Sequence, residues 1–257
     1  MKILALDSTA QIATVALCED EHLLGEFTLN NGNTHSETLL PMVESLLRFF
    51  ELTPCEIDLF AASAGPGSFT GVRIGAATLK GLAFAKQKPC IGVSTLEALA
   101  YNLQGFEGII CPVMNARRKQ VYTAIFRHQN GSFERLLPDS AISIAELDEL
   151  LAAYGEPIYL CGDGYDVTVK DLKTAICQTP ERLRHQSAYS VAQIAYGLYQ
   201  SGVRTTDAEM APTYLRPCQA ERERAERERL KEQAEKKIRT KNDSILDCQK
   251  VISRFSL

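Results

Sequence analysis

The sequence predicts an α/β protein in which mixed β-sheets are flanked by helices, and three observations support this fold class. Near the N-terminus, short runs rich in Ile, Leu, Val and Thr alternate with turn-forming residues, as in an antiparallel meander; the runs span residues 2–7, 13–19 and 22–30. Helical patterns and short apolar runs then alternate from residue 36 to residue 101. Beyond residue 108, a strand, a tight basic turn and a second strand repeat the hairpin pattern.

The first helix is predicted from Glu37 to Phe50, with Thr34 or Ser36 as its N-cap. Its apolar residues follow the helical period at positions 39, 40, 43, 46, 47 and 50. Such a stripe must be buried, and the plain interpretation is that it packs into the core of its own domain. The apolar arc also includes Met42 and Phe49, and this width indicates contact with a partner protein as the alternative.

A glycine-rich turn follows a predicted strand at Ile57–Ala64 and precedes a helix predicted at Thr70–Lys86. Glycines allow a ligand to come close, and the start of a helix supplies unpaired N–H groups and a positive dipole end that suit a phosphate or carboxylate. The alternative is a tight turn that only begins a buried helix. A phosphate is expected to contact Gly65, Gly67, Ser68 and Thr70.

This turn differs from two common phosphate-binding loops. A Walker A loop ends in Gly-Lys-Ser or Gly-Lys-Thr, whereas Val72 follows Gly71 here. A dinucleotide-binding loop needs a third glycine five residues after the first, and counting from Gly65 that position holds Thr70. The sequence therefore supports neither a P-loop NTPase nor a Rossmann dehydrogenase.

Taken as a whole, the string from residue 65 to residue 75 resembles the signature of the TsaB family, bacterial proteins of tRNA threonylcarbamoyladenosine synthesis. The match fixes together Gly65, Pro66, Gly67, Ser68, Phe69, Thr70, Gly71, Arg73 and Gly75. Asn115–Tyr122 resembles the family pattern Asp-Ala-Arg-Arg followed by Val-Tyr; Asn115 replaces the acid and can keep the turn geometry. Pro212–Arg216 resembles the family ending Pro-x-Tyr-Leu-Arg, so the resemblance covers about residues 1 to 216.

The element order β-β-β-α-β-α-β-α fits one lobe of the actin-like, ribonuclease H-type (ASKHA) architecture, and the resemblance implies two such lobes. The pattern is interrupted at residues 104–108, which places an N-terminal lobe with the partner-binding helices at residues 1–103 and a C-terminal lobe at residues 104–218. Residues 219–257 begin with dense charges of both signs, which predicts a charged helical tail of unknown role.

Three features expected of a catalytic member of this superfamily are missing. Asp7 in the first hairpin is followed by Ser8 and Thr9, and not by the glycine that lets a nucleotide phosphate approach. The sister family TsaD is similar in fold and holds a metal with a His-x-x-x-His pair, whereas His35 is followed four residues later by Leu39. The phosphate turn also lacks its lysine. These deficits predict a pseudoenzyme with no catalytic residue and no metal site.

Several polar residues remain candidates for a phosphate contact. Asp7, Ser8, Thr9 and Arg117 join the turn residues as expected contacts of ATP or ADP at the interface with the catalytic partner, and no other cofactor is expected. The alternatives are that Asp7 caps its own turn and that Arg117 forms a solvated ion pair.

The resemblance implies a non-catalytic scaffold that pairs with the catalytic TsaD subunit, has the ATPase TsaE as a third component and reaches tRNA through the complex. Alone, the chain is expected to form a homodimer through the same surface. Leu39→Glu or Leu79→Glu is expected to abolish the pairing and leave the fold intact. The expected partner interface comprises His35, Ser36, Leu39, Leu40, Val43, Leu46, Leu47, Arg73, Ala76, Leu79, Lys80 and Ala83.

Composition limits the possible binding partners, the cellular location and the state of the cysteines. The chain has 257 residues and a net charge of -4, so it has no general electrostatic attraction to nucleic acid or anionic membranes. The first apolar run is short and contains Asp7, and no run approaches about 20 apolar residues, which predicts a cytoplasmic protein without a signal peptide. The eight cysteines form no Cys-x-x-Cys pair, which indicates reduced, buried thiols.

Two other function classes stay open from the sequence. A metal-dependent or metal-independent peptidase or hydrolase of the glycoprotease-like superfamily needs a metal or a nucleophile with a base. Ser63 or Ser68 with His35 is the pair that the sequence offers for the second case. A free-standing sugar or acetate kinase would bind ATP tightly without a partner.

Overall fold

The computed structural model describes most of the chain, namely residues 1–32, 34–84 and 87–216 together with Arg227 and Arg229. The charged tail predicted at residues 219–257 therefore lies outside the described residues, apart from these two arginines.

Residues Met1–Leu215 form one compact unit, and Arg216–Leu257 form a second. Within the described residues, the first unit contains two sheets built from β1 (Lys2–Asp7), β2 (Ala13–Glu19), β3 (His22–Leu29), β4 (Leu59–Gly65), β5 (Cys90–Ser94), β6 (Gly108–Asn115), β7 (Gln120–Gln129), β8 (Ser132–Ser143) and β9 (Ile158–Cys161). Its α-helices are α1 (His35–Phe49), α2 (Phe69–Phe84), α3 (Thr95–Tyr101), α4 (Ile144–Leu151), α5 (Tyr165–Asp171) and α6 (Ala188–Gln200).

The first sheet has the strand order β3-β2-β1-β4-β5. Strands β1, β2 and β3 form the predicted antiparallel meander, whereas β4 pairs in parallel with both β1 and β5. Successive residues of β1 point to opposite faces, so Leu4 and Leu6 lie in one core and Ile3 and Ala5 lie in the other. Helices α1 and α2 cover the first face side by side, and α6 packs on the second face.

The second sheet has the strand order β8-β7-β6-β9. Strands β6, β7 and β8 are antiparallel neighbours, and β9 pairs in parallel with β6. Helix α3 packs on one face, and α4 packs on the other through Ile144, Leu147 and Leu151. Each sheet thus joins an antiparallel meander to parallel pairing through one central strand, which confirms the actin-like, ribonuclease H-type fold class. The predicted division at residues 103 and 104 falls between α3 and β6 and stays a prediction.

Strand β8 and helix α5 were not predicted from the sequence. Strand β8 is the edge of the second sheet, and its residues are mostly half-buried, so no clear alternation of apolar and polar residues marks it. Helix α5 has seven residues and exposes Val167 and Val169, which obscures its helical period. Serine side chains cap two of the helices, because Ser94 Oγ accepts from Glu97 N (3.2 Å) at the start of α3 and Ser143 Oγ accepts from Glu146 N (3.1 Å) at the start of α4.

The cysteines of the described residues are free, and most of them are buried, as predicted. Burial raises the pKa of the Cys18 and Cys111 thiols to about 12 and that of Cys90 to about 11, so these thiols stay protonated and unreactive. Cys55 is the exposed exception. No helix among the described residues combines the length and apolar character needed to cross a membrane.

Neighbouring residues of α1 face different surroundings. The side chain of Leu39 is 1% exposed and belongs to the core against the first sheet, whereas Leu40 is 43% exposed. One turn of the helix therefore supplies both the core and the surface of the chain.

We expect Leu39→Ala to lower the free energy of unfolding by about 2–5 kcal/mol, because it removes fully buried methyl groups and leaves a cavity. Leu40→Ala is the matched control and should change the free energy by less than about 1 kcal/mol, because much of this side chain is already in water. Urea unfolding followed by circular dichroism measures both values. Equal losses in the two variants would contradict this assignment of core and surface.

Candidate functional site

The signature turn packs tightly against the first hairpin. A Cβ atom at Gly67 would lie 2.5 Å from the Thr9 carbonyl oxygen, and one at Gly71 would lie still closer to the Ser8 carbonyl oxygen. Ser68 N donates to the Thr9 carbonyl oxygen at 2.7 Å. The glycines were expected to let a ligand come close. At Gly67 and Gly71 it is the chain's own backbone that comes close instead.

Asp7 closes the turn of the first hairpin. Its carboxylate accepts from Thr9 N and Thr9 Oγ1, each at 2.7 Å, and from Ser63 Oγ at 2.5 Å. The side chain is 1% exposed, and burial raises its pKa, although the bonds from Ser63 and Thr9 act in the opposite direction. Asp7 thus caps its own turn, which was one of the two alternatives from the sequence, and it also links that turn to β4.

The residues that could form a hydrolytic pair are each engaged elsewhere. His35 Nε2 donates to the Ala10 carbonyl oxygen at 2.6 Å, which fixes the ring on the hairpin. Ser63 donates to Asp7, and Ser68 Oγ accepts from Gly71 N at 3.3 Å. Neither serine is hydrogen-bonded to His35, so this geometry does not assemble the nucleophile and base that a peptidase would need.

The second hairpin keeps the turn geometry expected from Asn115. Its Oδ1 accepts from Arg117 N at 2.8 Å, and its backbone N donates to Asp163 Oδ1 at 3.2 Å. Arg117 has φ +62° and is exposed, so its guanidinium is accessible to an anion. The Asp163 carboxylate thus joins the turn of the second hairpin to the segment that follows β9.

Two motifs of the resemblance meet at the start of α2, although 141 residues separate them. Arg73 Nε donates to Tyr214 Oη at 2.9 Å, and the guanidinium lies 3.8 Å from the centre of the Phe69 ring. Phe69 and Tyr214 are themselves 5.0 Å apart between ring centres. Thr213 N donates to the Ala64 carbonyl oxygen at 2.7 Å, which holds the C-terminal motif against the end of β4.

The partner interface predicted from the sequence needs a correction. Most of its apolar members lie in the core of this chain, because α1 and α2 turn their apolar stripes toward their own sheet. A glutamate at position 39 or 79 would lose its water inside this core, so the expectation that these substitutions leave the fold intact is wrong. The buried members are Leu39, Val43, Leu46, Leu47, Ala76, Leu79 and Ala83.

The remaining members of the predicted interface reach the surface. Ser36, Leu40 and Arg73 are exposed, and His35 and Lys80 are half-buried. Phe49 and Phe84 at the C-terminal ends of α1 and α2 are 75% and 73% exposed, and the predicted interface omitted them. The apolar arc of α1 already included Phe49, but nothing in the helical period separates Phe84 from the buried Ala83.

The remaining phosphate-contact candidates are distributed between the core and the surface. Ser8 and Thr9 are buried, Ser68 and Thr70 are exposed, and Gly65 is enclosed by the Thr213 carbonyl oxygen, 2.5 Å from where a Cβ would lie. A nucleotide contact at these positions stays a prediction. Among the described residues, no group of three or more His, Cys, Asp or Glu side chains is placed to hold a metal ion.

Known proteins are similar to this chain in sequence and in fold. The family model described as TsaD, tRNA N6-adenosine threonylcarbamoyltransferase, matches residues 23–241. The tRNA threonylcarbamoyladenosine biosynthesis protein TsaB of Bacillus subtilis is 36% identical over 162 residues, which is 63% of this chain and 71% of that protein. The TsaB protein of Escherichia coli is 37% identical over 134 residues, 51% of this chain and 58% of that protein.

Two solved structures have folds similar to that of this chain. YeaZ from Pseudomonas aeruginosa superposes with a TM-score of 0.70 at 27% identity, over 83% of this chain and 99% of that one. A second structure, of an uncharacterized Pseudomonas aeruginosa protein with similarity to peptidase YeaZ, gives a TM-score of 0.72 at 26% identity over 84% of this chain and 99% of that one. The resemblance to the TsaB family is therefore confirmed, and the chain belongs to that family.

Proposed function

We propose that this chain is a non-catalytic subunit in the synthesis of threonylcarbamoyladenosine in tRNA, and that it binds and activates a TsaD-like catalytic subunit. The observation that carries the proposal is the set of exposed apolar side chains on α1 and α2 in a member of the TsaB family. The curated relatives are named for this biosynthesis, and a surface of this kind is typical of a protein interface.

Both helices carry exposed apolar side chains, namely Leu40 and Phe49 on α1 and Phe84 on α2, and Arg73 provides a charge at the start of α2. Leu40 and Phe49 flank the buried stripe of α1 on opposite sides, and Phe49 also packs edge-on against Phe27 of β3. Gly81 is exposed on α2, and a Cβ there would meet no atom within 4 Å, so a partner helix has room to approach closely.

The non-catalytic role is supported by the contacts of three residues that were considered for phosphate binding or hydrolysis. Asp7, Ser63 and His35 are bound to neighbouring groups of the hairpins and of β4, where they stabilise turns. In this proposal the partner carries out the transfer, a TsaE-like ATPase is the third component, and ATP or ADP binds at the interface with the partner. The chain reaches tRNA through the complex and forms a homodimer through the same face when it is alone.

The reconstituted reaction tests the function directly. We expect a TsaD-like subunit and a TsaE-like ATPase to transfer threonylcarbamoyl to tRNA adenosine when this chain is present, and at least tenfold more slowly without it. Incorporation of labelled threonine into tRNA measures the rate. Modification of tRNA by this chain alone, or an undiminished rate in its absence, would contradict the proposal.

We expect Leu40→Glu to weaken binding to the TsaD-like subunit at least tenfold, because a carboxylate would be buried in an apolar contact. Leu150→Glu is the matched control, since Leu150 lies on α4 with a similar exposure of 38%. Isothermal titration of the two subunits measures both affinities, and circular dichroism verifies folding. Equal affinities for the two variants would show that α1 is not part of the interface.

Asp7 gives a prediction about pH. Because burial raises the pKa of the folded-state carboxyl above 3.8, wild-type stability decreases relative to Asp7→Asn as the pH rises through that raised value. The difference in unfolding free energy between Asp7→Asn and the wild type should therefore be smallest below pH 3.8 and should increase toward neutral pH. Urea unfolding across this range measures it. A difference that shrinks as the pH rises would mean that the folded state favours the ionised acid.

A further inference from the structure

The turn of the second hairpin, between β6 and β7, carries three consecutive basic residues in a left-handed backbone conformation. Arg117, Arg118 and Lys119 have φ values of +62°, +53° and +57°, and all three are exposed. A residue with a Cβ atom is disfavoured in this region, where glycine or asparagine is the usual choice. The chain therefore keeps three cationic side chains in this basic turn although their backbone is strained.

Hydrogen bonds on both sides hold the backbone of the basic turn. Asn115 Oδ1 accepts from Arg117 N at 2.8 Å, and Gln120 N donates to the Arg117 carbonyl oxygen at 3.1 Å. Ile144 N donates to the Lys119 carbonyl oxygen at 3.1 Å, which ties the turn to the start of α4. The points from which the basic side chains project are thus fixed before any ligand binds, which reduces the entropy lost on binding.

The two arginines of the basic turn are not neutralised by their surroundings. No described carboxylate forms an ion pair with the side chain of Arg117 or Arg118, whereas Lys119 Nζ lies 3.1 Å from Asp171 Oδ2. Asp163 also adjoins the hairpin, where its Oδ1 accepts from Asn115 N at 3.2 Å. The ion pair considered for Arg117 is therefore not formed within the described part of the chain, and both guanidinium groups can bind an external anion.

The charge around the basic turn differs from that of the whole chain. The net charge is -4, so this turn is a local exception and not part of a generally basic surface. Asn115 stands where the family pattern has an acid, and it keeps the bond to Arg117 N without placing a negative charge two residues from that arginine. The hairpin thus presents positive charge at its tip and binds no cation in place of an anion.

We propose that the basic turn contacts phosphate groups of the tRNA backbone directly. This inference rests on the proposed function, because the relatives named for tRNA threonylcarbamoyladenosine biosynthesis identify the polyanion. Guanidinium groups match phosphate oxygens, and contacts of this kind position a nucleic acid without reading its bases. An RNA strand is favoured over a mononucleotide because the turn is exposed, whereas mononucleotides bind in concave sites.

Fluorescence anisotropy of labelled, unmodified tRNA tests this contact with the full-length chain at about 50 mM salt. We expect the wild type to bind tRNA and the double variant Arg117→Gln with Arg118→Gln to bind at least about fivefold more weakly. The double variant should also flatten the slope of log Kd against log salt by about 1 to 2, because each phosphate contact contributes about 0.7 to 0.9.

Three single variants separate the charge from the backbone. Arg118→Gly should weaken tRNA binding while the melting temperature stays the same or rises, because glycine accepts a φ of +53° without strain. Arg118→Lys keeps the charge and should keep most of the binding. Arg182→Gln is the matched control and should leave tRNA binding unchanged, since Arg182 is an exposed arginine in a different turn, Glu181–Leu183.

The reconstituted reaction distinguishes a failure of this contact from a failure of the proposed function. With the double variant we expect KM for tRNA to rise at least about fivefold and kcat to stay the same, because the partner carries out the transfer. If the wild type does not activate the TsaD-like subunit but Arg118→Gly still loses tRNA affinity, the proposed function fails and the contact stands. No tRNA binding by the wild type at low salt, equal binding by the double variant, loss of binding in Arg182→Gln, or displacement of tRNA by micromolar ATP would each overturn the contact.

Discussion

The contact between the signature glycines and the first hairpin is the constraint on which the rest of the N-terminal sheet depends. The backbone oxygens of Ser8 and Thr9 occupy the space that side chains at positions 71 and 67 would need. Helix α2 can therefore start directly against the hairpin turn, and Asp7 locks that turn to β4 through Ser63. The same placement sets which residues of α2 enter the core and which remain on the surface.

Local periodicity predicted the fold well where elements are amphipathic and capped. The meander of β1 to β3, helices α1 and α2 and strand β4 were all predicted, because alternation, helical periodicity and apolar runs are properties of neighbouring residues. Strand β8 was missed because it lies at a sheet edge and neither of its faces is buried along its whole length. The signature predicted the family correctly, since a string of fixed glycines is more specific than any single turn.

The site was predicted less well, because its properties depend on which elements meet. Leu39 and Leu40 belong to the same apolar arc in the sequence, and only the position of the first sheet decides that one is core and the other surface. The pairing of Arg73 with Tyr214 joins distant parts of the chain and leaves no local signal. The sequence likewise shows the basic residues of the second hairpin but not their left-handed backbone, which depends on how β6 pairs with β7.

Because α1 carries both core leucines and exposed apolar side chains, docking of the proposed partner on α1 would be thermodynamically linked to folding of the chain. A partner that binds only the folded chain adds to its stability by RT ln(1 + [L]/Kd), so a hundredfold excess over Kd contributes about 2.7 kcal/mol. In a cell that degrades unfolded chains, unpaired copies are removed faster than paired ones. The steady-state amount of this subunit would then follow the supply of its partner without any control of its synthesis.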